Sequence, residues 1–443
     1  MDEHVDDLVE ELYPSLQEWR RDFHKYAESG WVEFRTASIV ASKLASWGYE
    51  VKAGREVIAA DARMGVPPQA FLKEQEQRAL SQGAVAEWLP YLSGGFTGVV
   101  GILDSGRSGP TVAFRVDMDA LDLQESHESD HLPVAGEFVS INDKMMHACG
   151  HDAHTSIGLG LAYVLSQCKD GLYGRVKLIF QPAEEGVRGA KAMVEAGVAD
   201  DVDLLFACHV GTGVPLREVV CGTYGYLATT KMDVVYTGIA AHAGGSPEEG
   251  RNALLAAASA VMNLHSIPRH SEGNSRINVG VLEAGSGRNI IPNHASFKLE
   301  TRGDTSEVNE YILARAIDII HGSVQMYGVE SKIDIVGKAG SSDPSPELLP
   351  YIRAQAGRVK DVESIVDTTS AGGSEDATYL MERVKQHGGL ASYLLFGTTL
   401  AAGHHNEKFD IEEETMKIAV KTLALCALNA HEVSIPEPTA QHT

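Results

Sequence analysis

Three observations predict an α/β fold carrying an inserted second domain for this chain of 443 residues. From residue 96 onward short β-rich runs alternate with helical stretches, the pattern of a sheet covered by helices. Polar and ionisable residues crowd directly after each apolar run. Between about residues 224 and 338 the order becomes strand, helix, strand, strand, helix, strand, which is the ferredoxin-like succession.

Taken in order, the first strand is expected at 112–115, a helix at 155–166, and further strands at 176–180 and 204–210. Val176-Lys177-Leu178-Ile179-Phe180 and Leu204-Leu205-Phe206-Ala207-Cys208 are almost continuously apolar, as strands buried on both faces are. Asp117 and Asp119 follow the first strand, Glu184 and Glu185 the second, and His209 ends the third. His404 and His405 follow a last apolar run at 392–396. Sites in open α/β sheets form outside the carboxyl ends of the strands, so these four separated segments are expected to meet in one cleft. The insert should hold strands at 231–236, 276–282, 295–301 and 332–336, with helices at 252–265 and 307–327. The first domain then spans 1–223 and 339–443 and closes in a helix over 411–429. Residues 56–93, with Pro67-Pro68 and a polar helical stretch through Trp88, are read as a surface embellishment rather than a lid or partner-binding element. A disordered tail is expected from Pro436.

Composition narrows the function. No apolar run approaches the ~20 residues of a membrane span, and the acidic start lacks the basic and apolar regions of a secretory signal. A soluble, cytoplasmic protein is expected. Five scattered cysteines do not make a disulfide framework, so reduced thiols follow. A net charge of -24 with no basic patch argues against nucleic acid or anionic lipid as partners. An acidic substrate would have to be captured by a few local cations.

The densest chemistry is Met145-Met146-His147-Ala148-Cys149-Gly150-His151-Asp152-Ala153-His154-Thr155, with one thiol, one carboxylate and three imidazoles. Thiolate, imidazole and carboxylate together suit zinc or another borderline divalent ion; the plain alternative is a His-rich surface loop. In Gln181-Pro182-Ala183-Glu184-Glu185-Gly186 two adjacent carboxylates repel unless a cation is near. Adjacent side chains leave a turn in different directions, so one can ligate while the other takes a proton from water.

These segments, with Arg115-Val116-Asp117-Met118-Asp119-Ala120-Leu121 and Gly373-Ser374-Glu375-Asp376, resemble the amidohydrolase branch of the aminoacylase and glutamate-carboxypeptidase metallopeptidases over nearly the whole chain. Within it, Trp19-Arg20-Arg21-Asp22-Phe23-His24, the run from Glu28 to Thr36 and the run from Ala401 to Asp410 are most similar to members that hydrolyse aminobenzoyl-glutamate. The resemblance implies a zinc-peptidase-like catalytic domain built on a mixed sheet, and an inserted βαββαβ domain that dimerises or acts as a lid. It implies metal-dependent hydrolysis of the amide bond of N-acyl or N-aroyl amino acids; hippurate-type and indoleacetyl-type conjugates, or a non-catalytic partner subunit, are the alternatives. It further implies two divalent ions, zinc or manganese with cobalt as a third choice, held by Cys149, His151, Glu185, His209 and His405, with His404 as the other candidate for the last position. Glu184 becomes the general base, and Asp119 orients a ligand imidazole. Two positions depart from the branch, Asp122 and Glu407 standing where proline is usual, and neither removes a ligand.

In the insert, the resemblance makes His242 a stabiliser of the tetrahedral oxyanion, delivered from the partner subunit of a homodimer. Asn289 and Arg302 match positions that hold the substrate's carboxylate or carbonyl, and Arg288 and Lys231 are expected near the same edge, able to serve a second carboxylate. Assembly with a homologous second subunit is the further partner expectation.

Overall fold

The structure, a computed structural model, describes residues 2–435; the tail expected from Pro436 lies outside the described residues. The chain runs through α1 (Asp2–Lys25), α2 (Phe34–Ser46), β1 (Glu50–Ala53), α3 (Gln69–Ser81), α4 (Leu89–Leu92), β2 (Val99–Asp104), β3 (Thr111–Asp117), α5 (Leu132–Ala135), α6 (His151–Gln167), β4 (Arg175–Gln181), α7 (Ala190–Glu195), β5 (Leu204–Val210) and β6 (Glu218–Tyr224). It continues through β7 (Ala228–Thr237), α8 (Ala253–Leu264), β8 (Ser275–Ala284), β9 (His294–Gly303), α9 (Ser306–Tyr327) and β10 (Glu330–Ala339), then α10 (Leu348–Ala356), β11 (Ser364–Ser370), α11 (Thr378–Gln386), β12 (Leu390–Phe396) and α12 (Thr415–Leu428). Two compact units result: Gly225–Ser341 with Gly372–Glu375 form one, and the remaining described residues form the other.

The larger unit is built on an eight-stranded mixed sheet in the order β1-β2-β4-β3-β5-β12-β6-β11. Its centre is parallel: β4 with β3, β3 with β5, and β5 with β12. β3, β5 and β12 are buried at every position, which explains the almost continuously apolar sequences of β5 and β12; β3 is equally buried but carries Arg115 and Asp117. Helix α1 buries Val5, Val9, Leu12, Leu16 and Phe23, a stripe at helical spacing, and packs with α6 and α12 on the sheet. The outer strands are absent from the periodicity for physical reasons. β1 is only Glu-Val-Lys-Ala, and β11, Ser-Ile-Val-Asp-Thr-Thr-Ser, is a polar edge strand with an exposed face.

Helix α6 starts at His151, four residues before the expected start at 155. Its cap is Gly150 at φ +92°, where a Cβ would come within 2.7 Å of Val210 Cγ2. Glycine is therefore required there, and the cap places His151 and His154 in the first helical turn. The 56–93 segment is not merely superficial. Leu72, Ala79 and Leu92 are buried, and Met64 O accepts from Trp31 Nε1 at 2.8 Å.

The smaller unit is a four-stranded antiparallel sheet, β10-β7-β9-β8, in βαββαβ order. One face packs Met232, Val234, Tyr236, Phe297 and Leu299 against α8 and α9; the small Ala253, Ala256, Ala257 and Ala260 of α8 complete this core. Alternation turns Lys231, Asp233, Lys298, Glu300 and Arg302 to the opposite face. Among the described residues no helix is long and apolar enough to cross a membrane.

Candidate active site

The carboxyl ends of β4, β3, β5 and β12 lie next to one another, and the ionisable residues that follow them meet there. Donor atoms of Cys149, His151 and His209 lie within 4.8 Å of one another; so do those of Cys149, Glu185 and His405, and of His151, Glu184 and Glu185. The ligands and base expected from the sequence thus form one cluster, although they are drawn from four separated segments.

Hydrogen bonds fix how each imidazole presents itself. His209 Nδ1 is 2.7 Å from Val210 O, so it carries the proton, and the bare Nε2 lies 3.4 Å from Cys149 Sγ. His151 Nδ1 is 2.8 Å from Asp119 O, and its buried Nε2, without a hydrogen-bond partner among the described residues, lies 4.0 Å from Glu184 Oε2. His405 Nε2 stands 3.5 Å from Glu185 Oε1. His404 differs: its Nε2 accepts from Thr212 N at 2.9 Å, so the proton sits on Nδ1, which faces Cys149 Sγ at 3.5 Å. That tautomer offers the cluster an N–H, whereas a ligand must offer a lone pair.

The turn carrying the two glutamates is held from below. Asp119 takes Glu184 N on Oδ1 and Glu185 N on Oδ2, each at 2.9 Å. Asp119 therefore orients the imidazole of His151 through its main-chain oxygen while its carboxylate orients the turn, a division the sequence did not reveal. Ala183 enters the turn at φ +52°, in the left-handed region that costs a non-glycine residue, and its N–H is taken by Glu33 Oε1 at 2.8 Å. Glu33 Oε2 accepts from Thr97 Oγ1 at 2.6 Å. Burial, and then the charge of Asp119, push Glu33 up to about 8. Arg188 adds a link to the 56–93 segment, donating from Nε to Glu185 O at 2.8 Å and from Nη1 to Gly65 O at 3.4 Å.

Beneath the cluster, Asp117 pairs with His154 Nδ1 at 2.6 Å and Arg115 Nη1 at 2.8 Å. Burial opposes its ionisation, but the charges of His151, Arg115 and His154 hold it well below the usual carboxylate range. His154 Nε2 accepts from Val210 N at 2.9 Å, so both its nitrogens are engaged and it serves as a strut between strands. Asp376, from the Gly-Ser-Glu-Asp motif, accepts from Gly189 N and Ala190 N at the start of α7 and from Gln181 Nε2. Glu33 and Asp376 lie in segments that carry the family resemblance, but their roles could not be read there, because each holds backbone far along the chain, 150 residues away for Glu33 and 186 for Asp376.

The donors fit divalent ions. Burial, the largest influence, pushes the Cys149 thiol up and holds the His209 imidazole well below its usual value. The cluster thus combines imidazole nitrogens, two carboxylates and a thiol that a bound cation would ionise. The unsatisfied His151 Nε2 is what a coordination bond would fill.

In the smaller unit, His242 is exposed and its Nδ1 accepts from Gly244 N at 3.1 Å, leaving Nε2–H as a free donor direction. Ala243 N donates to Asn289 O at 3.0 Å, and His242 bridges to Ile290, so His242 and Asn289 share one end of the sheet. Arg302 is elsewhere. It pairs with Glu300 and lies opposite Thr229 and Arg276 at the other end of the β8–β9 hairpin. Arg288 goes with Asn289 on the connecting loop, whereas Lys231 lies opposite Glu300, near Arg302. The expectation that Arg288 and Lys231 share an edge is corrected: the hairpin's length parts them.

Residues 113–429 match the model of peptidase family M20/M25/M40. The indole-3-acetyl-aspartic acid hydrolase of Enterobacter agglomerans is 58% identical over 426 residues, covering 96% of this chain and 98% of that one. A p-aminobenzoyl-glutamate hydrolase chain of Escherichia coli K12, one of that enzyme's named subunits, is 55% identical over 428 residues, with coverage of 96% and 98%. A crystal structure of the aminobenzoyl-glutamate utilization protein from Klebsiella pneumoniae superposes with a TM-score of 0.85 at 51% identity, covering 96% of this chain and 98% of that one.

Proposed function

The chain belongs to peptidase family M20/M25/M40 and is an amidohydrolase of N-acyl or N-aroyl amino acids, and from that premise we propose that its substrate is an aromatic acyl conjugate of an acidic amino acid, aminobenzoyl-glutamate first. Indoleacetyl-aspartate is the second reading, favoured by the 58% identical relative. Both share an aromatic acyl group and a dicarboxylic amino acid. The convergence of Cys149, His151, Glu184, Glu185, His209 and His405 at the carboxyl ends of the strands carries the catalytic part of the proposal. So complete a set also argues against a non-catalytic role beside a homologous enzyme.

Cys149, His151, Glu185, His209 and His405 would hold two divalent ions, zinc or manganese with cobalt as a third choice. When bound, such ions polarise the amide carbonyl and acidify water. Glu184, whose backbone is fixed by Asp119, takes the proton of the attacking water and delivers it to the amide nitrogen as the C–N bond breaks. Asp119 and Glu33 keep the 183–185 turn in one conformation throughout, so the base does not have to be re-aimed. His242 presents Nε2–H to the oxyanion, and Asn289 and Arg302 hold the amino-acid part.

The smaller unit works as a dimerisation domain in this proposal. From Ala295 to Arg302 is seven residues of extended strand, roughly 24 Å at 3.4 Å per residue, so one copy cannot bring His242 and Arg302 to the same small molecule. Two copies can, each lending His242 and Asn289 to its neighbour. Edge strand β8 exposes Val281 and Leu282, and α8 exposes Leu254, Leu255 and Met262, apolar surface suited to a second copy.

The test is turnover of aminobenzoyl-glutamate and indoleacetyl-aspartate by purified protein after chelation and after addition of zinc, manganese or cobalt. Cleavage that chelator abolishes and a metal restores is expected. Chelator-insensitive turnover, or none with any metal on either conjugate, would overturn the proposal.

A further inference from the structure

β8 and β9 place Arg276 directly opposite Arg302. Like charges facing each other across a strand pair are destabilising, so this arrangement calls for an anion between them. The counter-charge already present is insufficient. Glu300 is occupied with Arg302, at 3.0 and 3.2 Å, while Arg276 and the nearby Arg269 have no hydrogen bond or ion pair among the described residues. Arg269, Arg276 and Arg302 all line one cavity of about 400 Å³, with Asn278 and Glu300 beside them. Its three guanidinium groups face a single carboxylate. The wider charge balance makes this more unusual: Gly225–Ser341 holds ten Lys and Arg against twelve Asp and Glu, within a chain of net charge -24.

We propose that Arg276 and Arg269 form a carboxylate subsite that takes the side-chain carboxylate of the substrate's acidic amino acid, leaving Arg302 for the main-chain carboxylate. This rests on the amidase reading above. The two carboxylates of an aspartate or glutamate residue are separated by a few bonds, matching two adjacent guanidinium positions on paired strands, and each guanidinium can grip a carboxylate with two parallel N–H groups. A glutamine or alanine conjugate would leave Arg276 and Arg269 without a counter-ion. Selection for acidic residues is thus set by side chains of the smaller unit, whereas those that break the bond belong to the larger one.

The test compares metal-loaded wild type with Arg276→Ala and Arg269→Ala on aminobenzoyl-glutamate, aminobenzoyl-glutamine and aminobenzoyl-alanine. In wild type kcat/KM favours glutamate, and each variant lowers the glutamate-over-glutamine ratio about 10- to 100-fold, the size of a lost charge-assisted hydrogen bond. Arg276→Lys restores part of it. An unchanged ratio overturns the proposal, whether total activity falls or not. Binding of free L-glutamate, followed by calorimetry, reads the subsite without turnover. Weakened binding in Arg276→Ala supports it and wild-type binding in that variant overturns it. A protein that binds glutamate through Arg276 but cleaves none of the three conjugates would refute the amidase reading and leave the subsite standing.

Discussion

The two units hold their functional side chains in opposite ways. In the larger unit most are buried or half-buried and tied, His151 to Asp119 O, His209 to Val210 O, and the glutamate turn to Asp119 and Glu33, while His405 stands exposed. In the smaller unit His242, Asn289, Arg269 and Arg276 are exposed, and neither arginine has an ion pair among the described residues. On the proposed reading, a site that holds ions and aims a base is built before the ligand arrives, and a surface that seizes and releases a charged substrate is left open. Changes in the first should therefore alter metal content and stability as well as rate. Changes in the second should alter rate and selectivity alone.

The largest effect expected is at the base. Glu184→Ala should lower kcat about 10²- to 10⁴-fold while bound metal, measured by elemental analysis, stays near the wild-type level. Cys149→Ser should lower both. If the two variants lose metal equally, Glu184 is a ligand and the assignment of roles is wrong. Next comes His242→Ala, predicted to cost about 10²- to 10³-fold in kcat, as loss of one oxyanion donor does, with metal content and melting temperature unchanged. A drop in melting temperature would place His242 among the structural residues and erase the contrast between the units.

Asp119→Asn should have a smaller effect, about 10- to 100-fold in metal affinity or activity, because the amide can accept only one of the two N–H groups of Glu184 and Glu185. The smallest concerns pH. His24 lies between Asp152 Oδ2 and Glu125 Oε1, both at 2.8 Å; burial alone would lower its pKa, but the two carboxylates raise it to about 9. A folded value above the unfolded 6.5 means that this stabilisation, roughly 3 kcal/mol, is full below pH 6.5 and is lost as pH rises through about 9. Melting temperature should fall between pH 7 and 9, and His24→Gln should be less stable at pH 6.5 with a shallower decline. Parallel curves for the two proteins would contradict the assignment.

The larger unit was the more legible of the two from sequence. Buried parallel strands write continuous apolar runs, and a site at their carboxyl ends places Asp119, Glu184, Glu185, His209 and His405 directly after those runs. The His-Ala-Cys-Gly-His segment is visible because its donors are dense. What could not be read is what depends on a single distant partner. The choice between His404 and His405 turns on the N–H of Thr212, and the hold on Ala183 turns on Glu33, 150 residues earlier. In the smaller unit the residue types were visible but their positions were not. Arg288 and Lys231 are parted by strand register, and Arg276 gains meaning only when paired with Arg302.

The proposed division of labour between a pinned site and an open surface from a neighbouring copy is tested most directly by complementation. Glu184→Ala and His242→Ala proteins, each inactive alone, are mixed under conditions shown by differently tagged chains to exchange subunits. A hybrid dimer then has one site with an intact Glu184 and an intact His242 from the other chain. Recovery of up to about a quarter of wild-type activity is expected, since half the dimers are hybrids and each has one competent site. Verified exchange with no recovery would show that His242 serves its own chain or takes no part in catalysis.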